Sequence, residues 1–244
     1  MNILSVDSSA KVASCAILNE EKLVGEIYLD CGLVHSTTLA PMVKSLLDLS
    51  NFCIKEIDLF CVSNGPGSFT GIRIGVALVK GLALSLNKMT LGVSTLHALA
   101  FNAIDQESAL ICPCMDARRN QLYAALFKLE NSKITRITKD SAISSEDLFL
   151  NLKEHESKNK NIILVGDGAD LFFNFIRKQE QFFLNNKVKV LSSGYRYQAA
   201  RNVAFAALNL LAQNNVPSPA KNLQVNYLRP SQAEREKEAP SKKV

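Results

Sequence analysis

The stretch Gly65-Pro66-Gly67-Ser68-Phe69-Thr70-Gly71-Ile72-Arg73-Ile74-Gly75 packs four glycines, a proline and an arginine into eleven residues. It follows an apolar strand-like run and opens an apolar helix-like one. A glycine-rich strand-to-helix turn converges backbone N–H groups on whatever lies above the sheet edge, and phosphates often lie there. The turn lacks the Gly-Lys-Ser/Thr ending of a Walker A loop. Arg73 there can meet an anion or a partner carboxylate. Nucleophilic chemistry has weaker support. Ser8, Ser9 and Ser68 lie at turns with no nearby signal for a general base, and no serine-hydrolase elbow is present. Metal chemistry has no signal either. His35 opens a helix-like run, but position i+4 is Leu39, so two imidazoles do not share a helix face. His97 falls on a later helix and His155 in the charged stretch 153–160. The six cysteines contain no C-x-x-C pair, and Cys112-Pro113-Cys114 is too tight for one, so they read as buried, reduced thiols.

The elements that must carry these residues fall into two similar halves. Residues 2–7, 11–18 and 22–29 read as a strand meander, 35–50 as a helix with Leu39, Val43, Leu46 and Leu47 at helical spacing, and 56–63 as a strand. The glycine turn and a helix to about residue 86 follow, then a strand at 90–93 and a helix capped by Ser94-Thr95. The second half repeats this order. It has strands at 109–116, 121–129 and 133–138, a helix at 144–155, a strand at 161–165, a helix at 169–181, a strand at 187–191 and a helix at 195–213. Asp7 and Asp116 end equivalent strands, and Val62-Ser63-Asn64-Gly65 aligns with Val165-Gly166-Asp167-Gly168. An internal duplication of βββαβαβα constrains the fold more than any single motif. It predicts an α/β chain with units at 1–105 and 106–215 and an extension at 216–244.

Between Ile72 and Leu86 only Arg73, Lys80 and Ser85 are polar. A helix so apolar needs packing partners on more than one side. Gly71, Gly75 and Gly81 beside Ile72, Val76, Val79 and Leu82 are read as a second surface, which a neighbouring helix can approach closely. Met42, Leu46 and Leu49 of the preceding helix extend it.

Net charge is +5, from 28 basic and 23 acidic residues, with much of the excess in the last sixteen residues among interleaved glutamates. That pattern is a solvated tail rather than a nucleic-acid clamp, and no basic patch interleaved with aromatics occurs. No apolar run approaches the ~18 residues that span a bilayer, and no leader pattern opens the chain. A soluble, cytoplasmic protein with no membrane association is expected.

The duplicated unit resembles the actin-like ATPase group, with its ribonuclease H-like fold. In that group nucleotide sits between the halves, and the turn after each first strand holds phosphates. The resemblance implies a nucleotide cleft at Asp7, Ser8, Ser9, Gly65, Gly67 and Asp116; a polar turn closing each hairpin is the alternative. Within the group the chain resembles the bacterial TsaB, or YeaZ, family. The blocks are Leu4-Ser5-Val6-Asp7-Ser8-Ser9, His35-Ser36, the 65–75 signature with Lys80-Gly81-Leu82-Ala83, and Gly92-Val93-Ser94-Thr95-Leu96. Asp116-Ala117-Arg118 with Tyr123, and Tyr227-Leu228-Arg229-Pro230, complete them.

That resemblance implies a non-catalytic subunit for N6-threonylcarbamoyladenosine modification of tRNA. Such a subunit would bind and activate the transferase TsaD together with the ATPase TsaE, and would meet tRNA only indirectly. It further implies a four-helix heterodimer interface at His35, Met42, Leu46, Leu49, Gly71, Ile72, Arg73, Gly75, Val76, Val79 and Leu82. A homodimer through the same surface would form when TsaD is absent, and ATP or ADP would have its place at the subunit boundary, not on this chain alone. The competing reading is an autonomous ATP-binding enzyme, a kinase or a glycoprotease-like peptidase.

Overall fold

Amphipathic periodicity and turn signals coincide in the first half, and the elements form where they do. A computed structural model describes residues 1–32, 34–155 and 161–229. Strands β1 (Asn2–Asp7), β2 (Ala13–Asn19) and β3 (Lys22–Leu29) form an antiparallel meander. Helix α1 (His35–Ser50), β4 (Leu59–Gly65), α2 (Phe69–Ser85), β5 (Met89–Ser94) and α3 (Thr95–Ala100) follow. Helix α1 buries Leu39, Met42, Val43, Leu46 and Leu47, the i, i+3, i+4, i+7, i+8 stripe of a sheet-packed helix. It ends where Asn51 turns left-handed and its N–H closes on Leu47 and Asp48 carbonyls. Helix α2 starts at Ser68, whose hydroxyl accepts the Gly71 N–H at 3.2 Å.

The second half comprises β6 (Ala109–Asp116), β7 (Gln121–Ala124), β8 (Phe127–Glu130), β9 (Lys133–Arg136), β10 (Ser141–Ser144), α4 (Ser145–His155), β11 (Asn161–Val165), α5 (Ala169–Ile176), α6 (Glu180–Asn185), β12 (Lys187–Val190) and α7 (Ala200–Ala212). A short strand, β13 (Ser218–Pro219), then pairs with β5. The sheets run β13-β5-β4-β1-β2-β3 and β10-β7-β6-β11-β12, so each half places its first strand between an antiparallel neighbour and a parallel one. This is the duplicated layout of the actin-like fold.

The second half departs from the expected elements. The strand expected at 121–129 is interrupted at Ala125-Leu126 to give β7 and β8, with one continuous register against β6 on either side. The break faces Cys112-Pro113, where proline has no N–H to give the ladder. Strand β10 is an addition. The helix expected at 169–181 stops at Ile176 and restarts at Glu180, and the one expected from 195 begins at Ala200. The charged tail and Pro230 lie outside the described residues.

Between the sheets, α3 and α7 share one core with both halves, including Ile3, Val93, Leu96, Ile111, Phe127 and Val165. The small side chains of Ala200, Ala204 and Ala207 let α7 lie close to β1 and β2. Its first turn is capped by the other half: the Ala200 N–H donates to Ser14 Oγ at 2.9 Å, and Arg201 pairs with Glu26 through backbone and guanidinium. The two halves are therefore joined by buried contacts.

Candidate functional site

Asp7 ends β1 fully buried. Its Oδ1 accepts the Ser9 N–H at 2.9 Å and the Ser9 hydroxyl at 2.7 Å, and its Oδ2 accepts the Ser63 hydroxyl at 2.5 Å. Burial pushes the Asp7 carboxyl above the usual carboxylate range, opposed by those bonds and by the nearby His35. The Ser8 hydroxyl donates to the Gly71 carbonyl at 2.8 Å, and the Ser68 N–H to the Ser9 carbonyl at 2.7 Å. The Asp7, Ser8 and Ser9 side chains and the Ser9 N–H are thus engaged inside the chain. Its carboxylate would also repel the anion when ionised.

The signature glycines explain how the turn is filled. A Cβ on Gly71 would stand 2.1 Å from the Ser8 carbonyl oxygen, and one on Gly67 would stand 2.3 Å from that of Ser9. At Gly65, φ is +128° and a Cβ would meet the Asn226 carbonyl oxygen at 2.3 Å. These positions need glycine because the chain's own backbone lies where a Cβ would be. Of the six residues expected at a nucleotide cleft, Asp7, Ser8, Ser9 and Gly65 are buried, Gly67 is half-buried and only Asp116 is exposed. Those five do not fit a phosphate site.

Asn226 belongs to a segment that runs from the first half to the second. Its N–H donates to the Asn64 carbonyl at 2.7 Å, and Asn64 Nδ2 donates to the Gln224 carbonyl at 3.2 Å. Tyr227 stacks on Phe69 with centroids 4.6 Å apart, and Arg73 donates from Nε to the Tyr227 hydroxyl at 2.6 Å. The Arg73 guanidinium also lies 3.8 Å over the Phe69 ring. Arg73, expected to meet a free anion or a partner carboxylate, is exposed and is oriented by Phe69 and Tyr227 of its own chain. Arg229 then reaches the second half, donating to the Ala117 carbonyl at 3.1 Å and lying over the Tyr123 ring.

The matching turn of the second half is more open. Asp116 Oδ1 accepts the Arg118 N–H at 2.7 Å, and Arg118, Arg119 and Asn120 all have positive φ. Gly166 repeats the close packing, with a Cβ there falling 2.1 Å from the Cys114 carbonyl oxygen. Burial raises the Asp167 carboxyl, and the neighbouring Asp116 charge adds to the rise.

His35 is half-buried, with Nε2 at 2.7 Å from the Ala10 carbonyl; among the described residues no cluster of metal-ligating side chains occurs. The cysteines are all free; four are buried, whereas Cys31 and Cys53 are exposed, contrary to expectation. No helix among the described residues is long and apolar enough to cross a membrane.

The expected interface residues divide sharply. Met42, Leu46, Gly71, Ile72, Gly75, Val76 and Val79 are buried inside the chain, so they form no second surface. Sheet packing and the Asp7-Ser8-Ser9 turn consume them. The outward faces of the neighbouring helices α1 and α2 carry other residues. Leu49 is 83% exposed, Leu84 is 54% exposed, and Ala77 and Gly81 are open, with Leu78 and Leu82 half-buried beside them. Nothing lies within 4 Å of a Cβ built on Gly81. This outer face sets apolar and small residues beside the exposed Lys44, Ser45, Asp48, Arg73 and Ser85.

A sequence model of the family described as TsaD, tRNA N6-adenosine threonylcarbamoyltransferase, matches residues 31–237. The chain is 34% identical over 171 residues to the Bacillus subtilis tRNA threonylcarbamoyladenosine biosynthesis protein TsaB, covering 70% of this chain and 73% of that one. Its identity to Escherichia coli TsaB is 33% over 135 residues, 55% of this chain and 58% of that one. The chain belongs to the TsaB family. A solved Pseudomonas aeruginosa structure, described as similar to the peptidase YeaZ, shares the fold at a TM-score of 0.78 and 24% identity, covering 93% of this chain and 99% of that one.

In this TsaB-family chain the first turn is closed by the chain's own residues. The residues that close it were only partly legible. Ser63 and Asn226 carry no motif of their own. Tyr227 and Arg229 stood out as a block, but nothing local places them against Phe69, Arg73 and Ala117.

Proposed function

We propose that this chain is a non-catalytic docking subunit of the tRNA threonylcarbamoyladenosine machinery, working in the cytoplasm. It presents the outer face of α1 and α2 to the transferase TsaD, and the ATPase TsaE joins that complex. The observation that carries this reading is a contrast within one region: the Asp7 turn is spent on internal bonds, whereas Leu49, Ala77, Gly81 and Leu84 face outward unfilled. An open glycine on an apolar helix lets a second helix approach closely. The same face pairs two copies of this chain when TsaD is absent, as a self-complementary patch can. ATP or ADP belongs at the subunit boundary, held mainly by the partner, and tRNA is reached through the complex.

Two experiments test this. Purified TsaD, TsaE, the adenylate-forming enzyme and tRNA are combined with and without this chain, and modified adenosine is measured. Modification should require the chain; equal yield without it refutes an activating role. Size-exclusion chromatography then compares wild type with Leu49→Glu and Gly81→Glu. Both exposed-site variants should keep their circular dichroism and lose the heterodimer, and an intact heterodimer would move docking to another surface.

A further inference from the structure

The C-terminal segment runs along one flank of α2 before it leaves the first half. Ala220 and Leu223 are buried with that helix, and Lys80 Nζ donates to the Leu223 carbonyl at 3.3 Å. Asn226 seats on Gly65, Tyr227 closes on Phe69 and Arg73, and Arg229 crosses to Ala117 and Tyr123. The segment therefore touches the glycine turn of the first half and the 116–121 turn of the second, whose sheets share a core with α3 and α7.

We infer that residues 223–229 form a latch that ties the 65–68 turn to the 116–121 turn. While Tyr227 and Arg229 hold, the two turns stay tied through this segment. Release also takes the Tyr227 hydroxyl from Arg73 Nε, so an already exposed guanidinium on α2, one helical turn from Ala77, loses the contact that orients it. Tyr227 is itself 41% exposed, and its contacts are polar and aromatic rather than deeply buried. A contact of that kind opens locally without unfolding the core. This inference does not depend on which protein docks on α2.

The test is hydrogen exchange, read by NMR on the full chain, at three bonded amides: Ser68 to Ser9, Ala117 to Gln121 and Gln121 to Arg118. Tyr227→Ala and Arg229→Ala should each speed exchange at these amides about tenfold, the factor expected from losing one charge-assisted or cation–π contact. Amides of the β1–β2 ladder should be unchanged. Tyr227→Phe keeps the ring stack and loses the bond from Arg73, so it should give roughly a threefold change. Unchanged rates in both turns overturn the latch. Equal acceleration in the β1–β2 ladder also overturns it, because the segment would then merely stabilise the whole fold.

Discussion

Gly71 and Gly81 lie on the same helix, and one substitution at each should have opposite effects. At Gly81 a methyl group meets nothing within 4 Å. Alanine there gains the usual helix-interior advantage, about 0.5–1 kcal/mol. At Gly71 the methyl would stand 2.1 Å from the Ser8 carbonyl oxygen and 3.3 Å from the Ser68 side chain. Ordinary contact needs more than an ångström of extra room, and the atom in the way is backbone. Overpacking costs ~1–3 kcal/mol. Displacing the turn also loosens the Ser8–Gly71 and Ser68–Ser9 bonds, each worth about 1 kcal/mol net. After the helix-propensity gain is deducted, Gly71→Ala should lose roughly 2–3 kcal/mol. Urea unfolding of both variants measures the two signs. If both variants were stabilised, the glycines would not be there for close packing on the Asp7 turn. Under the proposed docking, Gly81→Ala carries a second signature. It stabilises the monomer while weakening the heterodimer, because its methyl stands where the partner helix approaches.

Further outcomes follow from the buried titratable groups and the α7 cap. Burial, and then the Arg136 charge, lower the His97 pKa from 6.5 to about 4. Between pH 7 and 4.5 the unfolded chain therefore takes up a proton that the folded chain refuses, and stability falls by roughly 2 kcal/mol. His97→Phe keeps the stack on Phe127 and should remove that share of the acid slope in urea titrations; parallel slopes would disprove it. Asp7 behaves with the opposite sign. Its folded pKa is raised, so its contribution is fully present below the unfolded value of 3.8 and is lost as pH rises through the folded one. Asp7→Asn should abolish this slope, yet cost about 1–3 kcal/mol by unpairing a buried hydroxyl, read from the denaturation midpoint at pH 7. Glu26→Ala removes both bonds to Arg201 and should destabilise the chain by ~1.5–3 kcal/mol; a change under 0.5 kcal/mol would show that water replaces the pair.

Much of the first half is legible because local signals agree with packing there. In α1 the apolar stripe and the Asn51 stop fall at the observed ends, and Asn2–Asp7 is bounded by its polar turn. The second half fails where the cause is not local. No glycine, proline, asparagine or aspartate marks Ala125-Leu126; the break faces Pro113 across the ladder, a residue distant in sequence that cannot donate an N–H.

The candidate site shows the same limit in sharper form. A phosphate and a carbonyl oxygen of the same chain make one demand on a turn, that no Cβ be present, so glycines at 65, 67 and 71 are consistent with either occupant. The occupants are Asn226, Ser9 and Ser8, and the first lies far along the chain from the turn it fills. Helix polarity is similarly ambiguous, since an all-round apolar α2 is satisfied either by a partner or by its own sheet, α1 and the 220–223 segment. The structure divides that demand: Ile72, Val76 and Val79 go inward, while Ala77, Gly81 and Leu84 stay outward. The inward residues thus report fold stability, and only the outward ones can report docking. A charge at Val76 would unfold the chain and say nothing about a partner, whereas one at Gly81 or Leu49 leaves the core intact and tests the interface alone.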